Sequence, residues 1–185
     1  MRTLFLLFAC AALFYSCKNE NQDDQVDPQK EQKEIKNYFY ADVDVQATQK
    51  DDFALYYTED NSINFTAENA TWAGTKGENT KETISFKLRE DRFPTNIRFD
   101  FGMNKAQDTV KVFGIKIGYE NREITIAGTE FFKYFINNEN EFSASIDSKI
   151  GALKIVKKGA EYKTPYFYPT DELNKKIKEI TIGKK

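Results

Sequence analysis

The stretch TISFKLREDRFPTNIRFDFGMNKAQDTVKVFGIKIGY, residues 83–119, carries the pattern that decides the fold. Apolar and polar side chains alternate along its extended runs, as in Ile84, Phe86 and Leu88. Successive side chains of a strand point to opposite faces, so a period of two predicts half-buried strands. Asp, Asn, Gly and Pro cluster between the runs, which is typical of turns. The stretch therefore predicts consecutive antiparallel strands.

The last run of this stretch changes phase in its middle. Val110 and Val112 share one parity, whereas Ile115 and Ile117 share the other. A β-bulge near Gly114 would return all four aliphatic side chains to one face. Burial of the strand on both faces is the alternative. In either case the run is predicted to be a long central strand.

The same alternation continues on both sides of this stretch, and two segments depart from it. The segment TEFFKYFI, residues 129–136, has aromatic residues on too many sides for a strand with one face in solvent, and it predicts a short helix. The segment 170–180 follows Pro169 and places its apolar residues on one helical stripe, so it predicts a C-terminal helix. The alternation recurs in residues 39–45, 53–57, 97–101, 124–126, 142–146 and 153–155.

These elements together predict an all-β fold. We expect a jelly-roll-like β-sandwich with a short aromatic helix and a C-terminal helix. An immunoglobulin-like sandwich is the second topology, although no Cys–Trp–Cys pattern supports it.

Two motifs of the central stretch carry a resemblance. The runs IRFDFG, residues 97–102, and VFGIKIGY, residues 112–119, resemble strands of jelly-roll accessory domains found in bacterial surface-polysaccharide and glycosyltransferase-associated proteins. This chain departs from that pattern at Phe101, where a proline is common. The resemblance implies a sandwich fold and contact with carbohydrate.

The N-terminus has the pattern of a secretory signal. Arg2 precedes the apolar run LFLLFACAALFY, which is too short to span a bilayer as a helix, and small Ser16 ends residues 1–16. The next residue, Cys17, resembles the lipid-modified cysteine of bacterial lipoproteins, although Phe14 stands where an aliphatic residue is usual. Several acyl chains on one cysteine would anchor the protein durably to a membrane.

Residues 17–34 are predicted to form an acidic, flexible tether between the lipidated cysteine and a β-sandwich domain at residues 35–185. Positions 18–34 hold three lysines and six carboxylates and almost no apolar residues. The acidic start resembles the export signals of surface lipoproteins, and a plain hydrophilic spacer is the alternative. We therefore expect a lipid-anchored protein of a bacterial outer membrane, exposed on the cell surface.

The composition narrows the function. The chain has no histidine, and its two cysteines are Cys10, inside the signal, and Cys17. Histidine-dependent catalysis is therefore excluded, and so are thiol chemistry and cysteine-bound metals in the mature domain. From residue 35 onward, 23 basic residues balance 23 acidic ones. With this balance of charges, we expect no basic surface that could bind the phosphates of nucleic acid.

Aromatic residues beside carboxylates are the first candidates for a binding site. Trp72, the only tryptophan, is either an exposed ring that stacks on a sugar or a core residue opposite a small glycine. Tyr38, Tyr40 and Asp42 share one strand face, where rings could stack on a sugar and the carboxylate could accept hydroxyl hydrogen bonds. A solvated outer face is the alternative for these three residues.

Arg98 and Asp100 are the remaining candidates. Their spacing of two places them side by side on one strand, opposite the core. Cross-strand charge pairing is the simplest expectation, and ligand binding is the alternative.

The best-supported function from the sequence is non-catalytic binding of a carbohydrate or cell-surface polymer. An accessory lipoprotein that binds a protein of the envelope is the second hypothesis. The third is a hydrolase using neighbouring carboxylates, either Asp42 with Asp44 or Asp51 with Asp52. We expect no cofactor. A structural calcium ion is left open, with no residue assigned to it.

Overall fold

Two antiparallel sheets enclose an aromatic core in the computed structural model, which describes residues 36–136, 142–158 and 163–181. The predicted all-β sandwich with a short helix and a C-terminal helix is confirmed. The predicted signal sequence, Cys17 and the tether lie outside the described residues.

The first sheet has β1 and β6 at its centre, each twelve residues long. The described strands follow the order β4-β1-β6-β10-β9, and β7 also pairs with β6. We call this the six-stranded sheet. Its strands are β1 (Lys36–Ala47), β4 (Lys81–Lys87), β6 (Thr109–Glu120), β7 (Arg122–Ala127), β9 (Phe142–Asp147) and β10 (Ala152–Lys157).

The second sheet follows the order β3-β2-β5-β11-β8 within the described residues, and we call it the five-stranded sheet. Its strands are β2 (Asp51–Thr58), β3 (Ala70–Thr75), β5 (Asn96–Asp100), β8 (Phe135–Ile136) and β11 (Tyr166–Pro169).

Most connections cross from one sheet to the other. In the described part of the chain, only β2–β3, β6–β7 and β9–β10 join neighbouring strands of one sheet. Repeated crossing between two sheets is typical of β-sandwiches. Because of it, residues close in sequence are often on opposite sides of the sandwich.

The predicted bulge in the central strand is confirmed. Asp44 of β1 pairs with Gly114 of β6, but the next residue, Val45, pairs with Val112, so Phe113 is the extra residue. The aliphatic side chains on both sides of the bulge are consequently buried on the same face: Val110, Val112, Ile115 and Ile117.

The core between the sheets is built mainly from phenylalanine. At its centre, Phe101 packs against Phe53, Phe99, Phe131 and Phe167, with ring centroids 5.6 to 6.3 Å apart. Pairs at such distances add about 0.5–1.5 kcal/mol each beyond the burial of their area.

Both predicted helices occur, with different lengths. The aromatic segment starts as a 3-10 turn, Gly128–Glu130, continues as α1, Phe131–Tyr134, and then extends into β8. The helical part is therefore shorter than predicted, because Phe135 and Ile136 pair with β11 instead.

The C-terminal helix α2 is Asp171–Thr181. The hydroxyl of Thr170 accepts a hydrogen bond from the amide of Leu173 at 3.4 Å, as expected of a capping residue. The predicted stripe of Leu173, Ile177 and Ile180 is buried in the core.

A buried carboxylate organises the loop between β5 and β6. Oδ1 of Asp51 accepts hydrogen bonds from the backbone amides of Met103 at 2.6 Å and Asn104 at 2.8 Å. Oδ2 accepts one from the side chain of Gln107 at 3.2 Å, and Gln107 in turn accepts from the backbone of Thr48 at 2.8 Å. The loop that carries the chain from one sheet to the other is thus tied to the start of β2.

Candidate functional site

The outer surface of the five-stranded sheet carries a cluster of aromatic rings around one ion pair. Neighbouring strands bring these side chains together, although they come from positions up to about a hundred residues apart. We call this surface the aromatic face and define it by Tyr56, Phe65, Trp72, Arg98, Asp100, Tyr166 and Tyr168.

Strand register explains why these side chains meet. Tyr56 of β2 stands opposite Arg98 of β5, and Asp100 stands opposite Tyr166 of β11. Ala54 lies between Trp72 on one side and Asp100 on the other. Tyr56, Arg98, Asp100 and Tyr166 have the parity opposite to the buried phenylalanines of their strands, so they point away from the core. Trp72 lies on the same face because it pairs with Ala54, which has the same parity as Tyr56.

Arg98 is the centre of the aromatic face. Its guanidinium carbon lies 4.3 Å from the ring centroid of Tyr56 and 5.4 to 5.8 Å from the rings of Phe65, Tyr166 and Tyr168. Cations at these distances from a ring are attracted by its π electrons. The arginine, on β5, therefore holds together rings from two other strands, β2 and β11, and from a loop.

Arg98 also forms a two-pronged ion pair with Asp100. Nε donates to Oδ1 at 2.8 Å, and a terminal nitrogen donates to Oδ2 at 2.9 Å. The two side chains are only 18% and 11% exposed. The expected cross-strand charge pair is wrong in one respect, since Arg98 and Asp100 pair along their own strand. Their spacing of two makes this possible, because both side chains project from the same face.

Burial acts on the charges of this pair. It raises the pKa of the Asp100 carboxyl, and the hydrogen bonds and charge of Arg98 offset that effect only in part. Burial alone would lower the pKa of Arg98, but Asp100 and then Tyr168 raise it, so the guanidinium stays protonated. The ion pair is consequently held in a partly dry setting.

Trp72 extends the aromatic face towards the β3 edge of the sheet. Its ring is 49% exposed and meets Tyr56 edge-to-face at a centroid distance of 6.3 Å. The alternative of a core tryptophan is therefore wrong. Ala54, opposite Trp72 in the register, is fully buried because larger side chains cover it.

The other predicted site residues lie on the opposite side of the sandwich. Tyr38, Tyr40 and Asp42 belong to β1, in the six-stranded sheet, whereas Trp72, Arg98 and Asp100 belong to the five-stranded sheet. The six candidates therefore form two separate groups on two outer faces. The sequence shows the parity of each residue but not the sheet that its strand joins.

The groups on β1 are engaged with neighbouring side chains. Lys36 lies 3.5 Å from the carboxylate of Asp42 and 3.7 Å from the ring centroid of Tyr40. The hydroxyl of Tyr40 donates to Glu123 at 2.5 Å, and the ammonium of Lys87 lies 3.8 Å from the ring of Tyr38. These pairings favour the interpretation of a solvated outer face whose polar groups bond to one another.

Tyr40 is buried because of a glycine. It stands opposite Gly118 of β6, and a Cβ at that glycine would lie 2.4 Å from the tyrosine ring. The ring thus covers the bare backbone of Gly118, a packing known to stabilise glycines in strands. A ring held in this way is not available to stack on a ligand.

Tyr40 is expected to make the fold less stable at alkaline pH. Burial, then the hydrogen bond to Glu123 and its charge, strongly raise the pKa of the Tyr40 hydroxyl. The unfolded chain therefore loses this proton first, and stability falls as the pH rises above the ordinary tyrosine pKa of about 10. By linkage, the loss reaches up to about 1.4 kcal/mol at about pH 11.

We expect Tyr40→Phe to reduce the difference in unfolding free energy between about pH 8 and about pH 11, measured with urea. The variant has no proton to lose at this position, although it also lacks the hydrogen bond to Glu123 at both pH values. An identical alkaline loss in the wild type and the variant would contradict the assignment.

Asp42, Asp44 and Asp51, three of the four carboxylates considered for hydrolysis, are also engaged with other groups. Asp44 accepts a hydrogen bond from Thr83 at 2.7 Å and lies 3.0 Å from Lys81; the Thr83 bond leads the effects that lower its pKa. A shallow depression of about 240 Å³ beside Asp42 and Asp44 is floored by Gly114. Asp51 holds the β5–β6 loop.

The described residues contain neither a group of possible metal ligands nor a helix that could span a membrane. In residues 36–136, 142–158 and 163–181, no three His, Cys, Asp or Glu side chains are grouped so that they could hold a metal ion. The helices in these ranges are all too short or too polar to cross a bilayer.

The sequence did not single out Tyr56, Phe65, Tyr166 or Tyr168 as parts of a site. A local signal existed for two of them, because Tyr166 and Tyr168 alternate with the buried Phe167 in the run YFYP. Their partner strand, β5, lies more than sixty residues earlier in the chain, and only the pairing reveals that these rings surround Arg98.

Comparison of the chain with protein-family models, with curated proteins and with solved structures finds no match. The geometry of the two outer faces therefore carries the functional argument.

Proposed function

We propose that this protein binds carbohydrate without catalysis and that the aromatic face is its binding surface. The observation that carries the proposal is the half-exposed Trp72, which continues into the ring of Tyr56 and the rings around Arg98. A large aromatic side chain is usually buried, and an exposed cluster of them marks an interaction surface. Flat rings can stack on the C–H faces of sugars, and polar atoms beside them can bond hydroxyl groups.

The location that we propose follows from the sequence. A signal at residues 1–16 and lipidation at Cys17 would anchor the domain to the outer membrane of a bacterium through the tether. On the cell surface, the aromatic face would meet glycans of the envelope or of the surroundings. The same anchor would serve an accessory protein equally well, so it does not decide the ligand.

The first test uses Trp72 as both probe and target. Because Trp72 is the only tryptophan, its fluorescence reports directly on this surface, and we expect glycan binding to shift its emission to shorter wavelength. In calorimetric titrations of the domain, Trp72→Ala is expected to weaken glycan binding at least about tenfold, the equivalent of about 1.4 kcal/mol of lost stacking.

The matched control is Tyr38→Ala, which also removes a partly exposed ring but from the six-stranded sheet. We expect this variant to bind glycan as the wild type does. Equal weakening by both substitutions, or binding that survives Trp72→Ala, would place the ligand elsewhere. Failure to bind any glycan of a broad panel would reject the carbohydrate proposal.

A second candidate, binding of an envelope protein, is favoured by one observation. Ile136, opposite Tyr168 at the other edge of the sheet, is 54% exposed. It extends the aromatic face with an aliphatic side chain, which suits an apolar protein surface better than a sugar. Ile136→Asp should then abolish capture of the partner, whereas free oligosaccharides should not compete with it.

The proposed lipid anchor makes a separate prediction. We expect the full-length chain expressed in a bacterium to incorporate a labelled fatty acid and to fractionate with membranes. Cys17→Ser is expected to remove the label entirely, because the acyl chains need the sulfur of Cys17. Cys10→Ser, inside the signal, is the control and should leave labelling intact. Labelling that persists in the Cys17 variant would contradict the anchor.

A further inference from the structure

We infer that the aromatic face is selective for uncharged oligosaccharides and accepts them only when they are several sugar units long. This inference rests on the proposed carbohydrate-binding function and names the ligand class of the same surface. It follows from two features of the face, the balance of its charges and its width across the sheet.

The aromatic face has almost no unbalanced charge. Among the outward-pointing residues in the described strands of the five-stranded sheet, the charged side chains are Asp52, Arg98 and Asp100. Arg98 and Asp100 neutralise one another, which leaves the negative charge of Asp52. The 3-10 turn before β3 adds another carboxylate, Glu68. An acidic polysaccharide would therefore meet repulsion here rather than attraction.

The opposite face of the sandwich carries charges of both signs. Lys36 lies 3.5 Å from Asp42, and Lys81 lies 3.0 Å from Asp44. The described strands of that sheet also carry Lys87, Lys111, Lys116, Glu120 and Glu123. Carboxylates therefore offset the lysines on that face as well.

The arginine of the aromatic face is not directed at a ligand anion. Two of its nitrogens donate to Asp100, and the planar group lies against the Tyr56 ring at 4.3 Å. A phosphate, sulfate or carboxylate that paired with the same edge of the guanidinium would have to displace Asp100, whose carboxylate would then be left without its partner in a mostly buried position. The pair is thus suited to fix the rings and to offer hydrogen bonds to neutral hydroxyl groups.

The width of the face indicates the length of the ligand. Trp72 lies on β3, and Tyr168 lies on β11, three strands away across β2 and β5. Strands lie about 4.8 Å apart, so the rings span about 14 Å, and a single sugar covers only part of this distance. A monosaccharide would therefore contact one end, whereas a short chain laid across the strands would contact Trp72 and the Arg98 cluster together.

The test is a salt series with the unmodified domain. Neutral hexasaccharides of glucose, mannose and N-acetylglucosamine, their monosaccharides, and the acidic polymers alginate and polygalacturonate are titrated while Trp72 fluorescence and heat are followed. The NaCl concentration is raised from about 0.01 M to about 1 M, which shortens the Debye length from about 30 Å to about 3 Å.

We expect at least one neutral hexasaccharide to bind with an affinity that changes less than about twofold over this range, and its monosaccharide to bind at least about tenfold more weakly. Preferential binding of an acidic polymer that weakens steeply with salt would overturn the selectivity but keep the carbohydrate-binding function. A monosaccharide as tight as its hexasaccharide would overturn the length requirement. If none of the sugars binds, the proposed function itself is overturned.

Asp100→Asn provides a second, independent measurement. The change removes the charge that neutralises Arg98, so this variant is expected to gain salt-sensitive binding of the acidic polymers. A folded Asp100→Asn variant, checked by circular dichroism, with no such gain would show that the ion pair does not set the selectivity. If the variant does not fold, the salt series on the wild type still decides.

Discussion

Phe101→Ala is expected to lower the free energy of unfolding by about 3–5 kcal/mol. Phe101 is fully buried and packs against rings from β2, α1 and β11 as well as against Phe99 beside it. The lost phenyl group leaves a cavity that these rings cannot fill without leaving their own contacts. Since they belong to β2, α1 and β11, the loss affects the inner face of the five-stranded sheet and its contact with the short helix.

The matched control is Phe93→Ala. Phe93 is 44% exposed, and its ring contacts that of Tyr119 at a centroid distance of 5.6 Å. Because this substitution creates no closed cavity, we expect it to cost about 1 kcal/mol or less. Urea unfolding followed by circular dichroism measures both variants. Similar losses for Phe101→Ala and Phe93→Ala would contradict the central place of Phe101 in the core.

Asp51→Ala is expected to destabilise the domain by about 3–5 kcal/mol, because it removes a buried charged acceptor that serves four donors. Three of these donors are the amides of Asp52, Met103 and Asn104, and the fourth is the side chain of Gln107. In the alanine variant, the buried donors among these four would have neither the carboxylate nor water as an acceptor. The β5–β6 loop would detach from the start of β2.

A second readout separates this effect from general loss of stability. The ammonium of Lys157 donates to the carbonyl of Asn104 in the same loop. Burial lowers the pKa of Lys157, and the charge of Asp51 opposes this lowering, so Asp51→Ala should lower that pKa further. The change can be followed by NMR of the Lys157 side chain.

Asp52→Ala is the control, one residue along the same strand. Asp52 is exposed, and its side chain points to the outer surface. We expect a change within about 0.5 kcal/mol for this variant. Hydrogen exchange of the Met103 and Asn104 amides should become faster in Asp51→Ala and not in Asp52→Ala. Equal protection of these amides in all three proteins would show that the carboxylate does not hold the loop.

Part of the candidate site could be predicted from the sequence. Trp72 was singled out by residue type, and Arg98 and Asp100 by residue type and parity; all three lie on the aromatic face. The same parity argument selected Tyr38 and Asp42, which lie on the other side of the sandwich. Residue type and parity identify an outward-pointing ring or charge, but they do not identify the other residues on that surface.

The sequence by itself determined, for most strands, which side chains face the core, and it determined which two segments contain helices. These are local properties, because the backbone geometry of a strand or helix sets the direction of each side chain relative to its neighbours. The buried stripe of α2 is an example, since it follows from spacing within a few residues. The spacing in β6 left two alternatives, and the pairing with β1 shows that the bulge is the correct one.

Only the tertiary structure decided that Tyr56, Arg98 and Tyr168 belong to one surface. Their strands are separated by about forty and seventy residues, and they became neighbours because pairing β2, β5 and β11 buries the phenylalanines on their inner faces. That burial depends on contacts summed over the whole domain. The rings around Arg98 were therefore assembled by the packing of the core behind them.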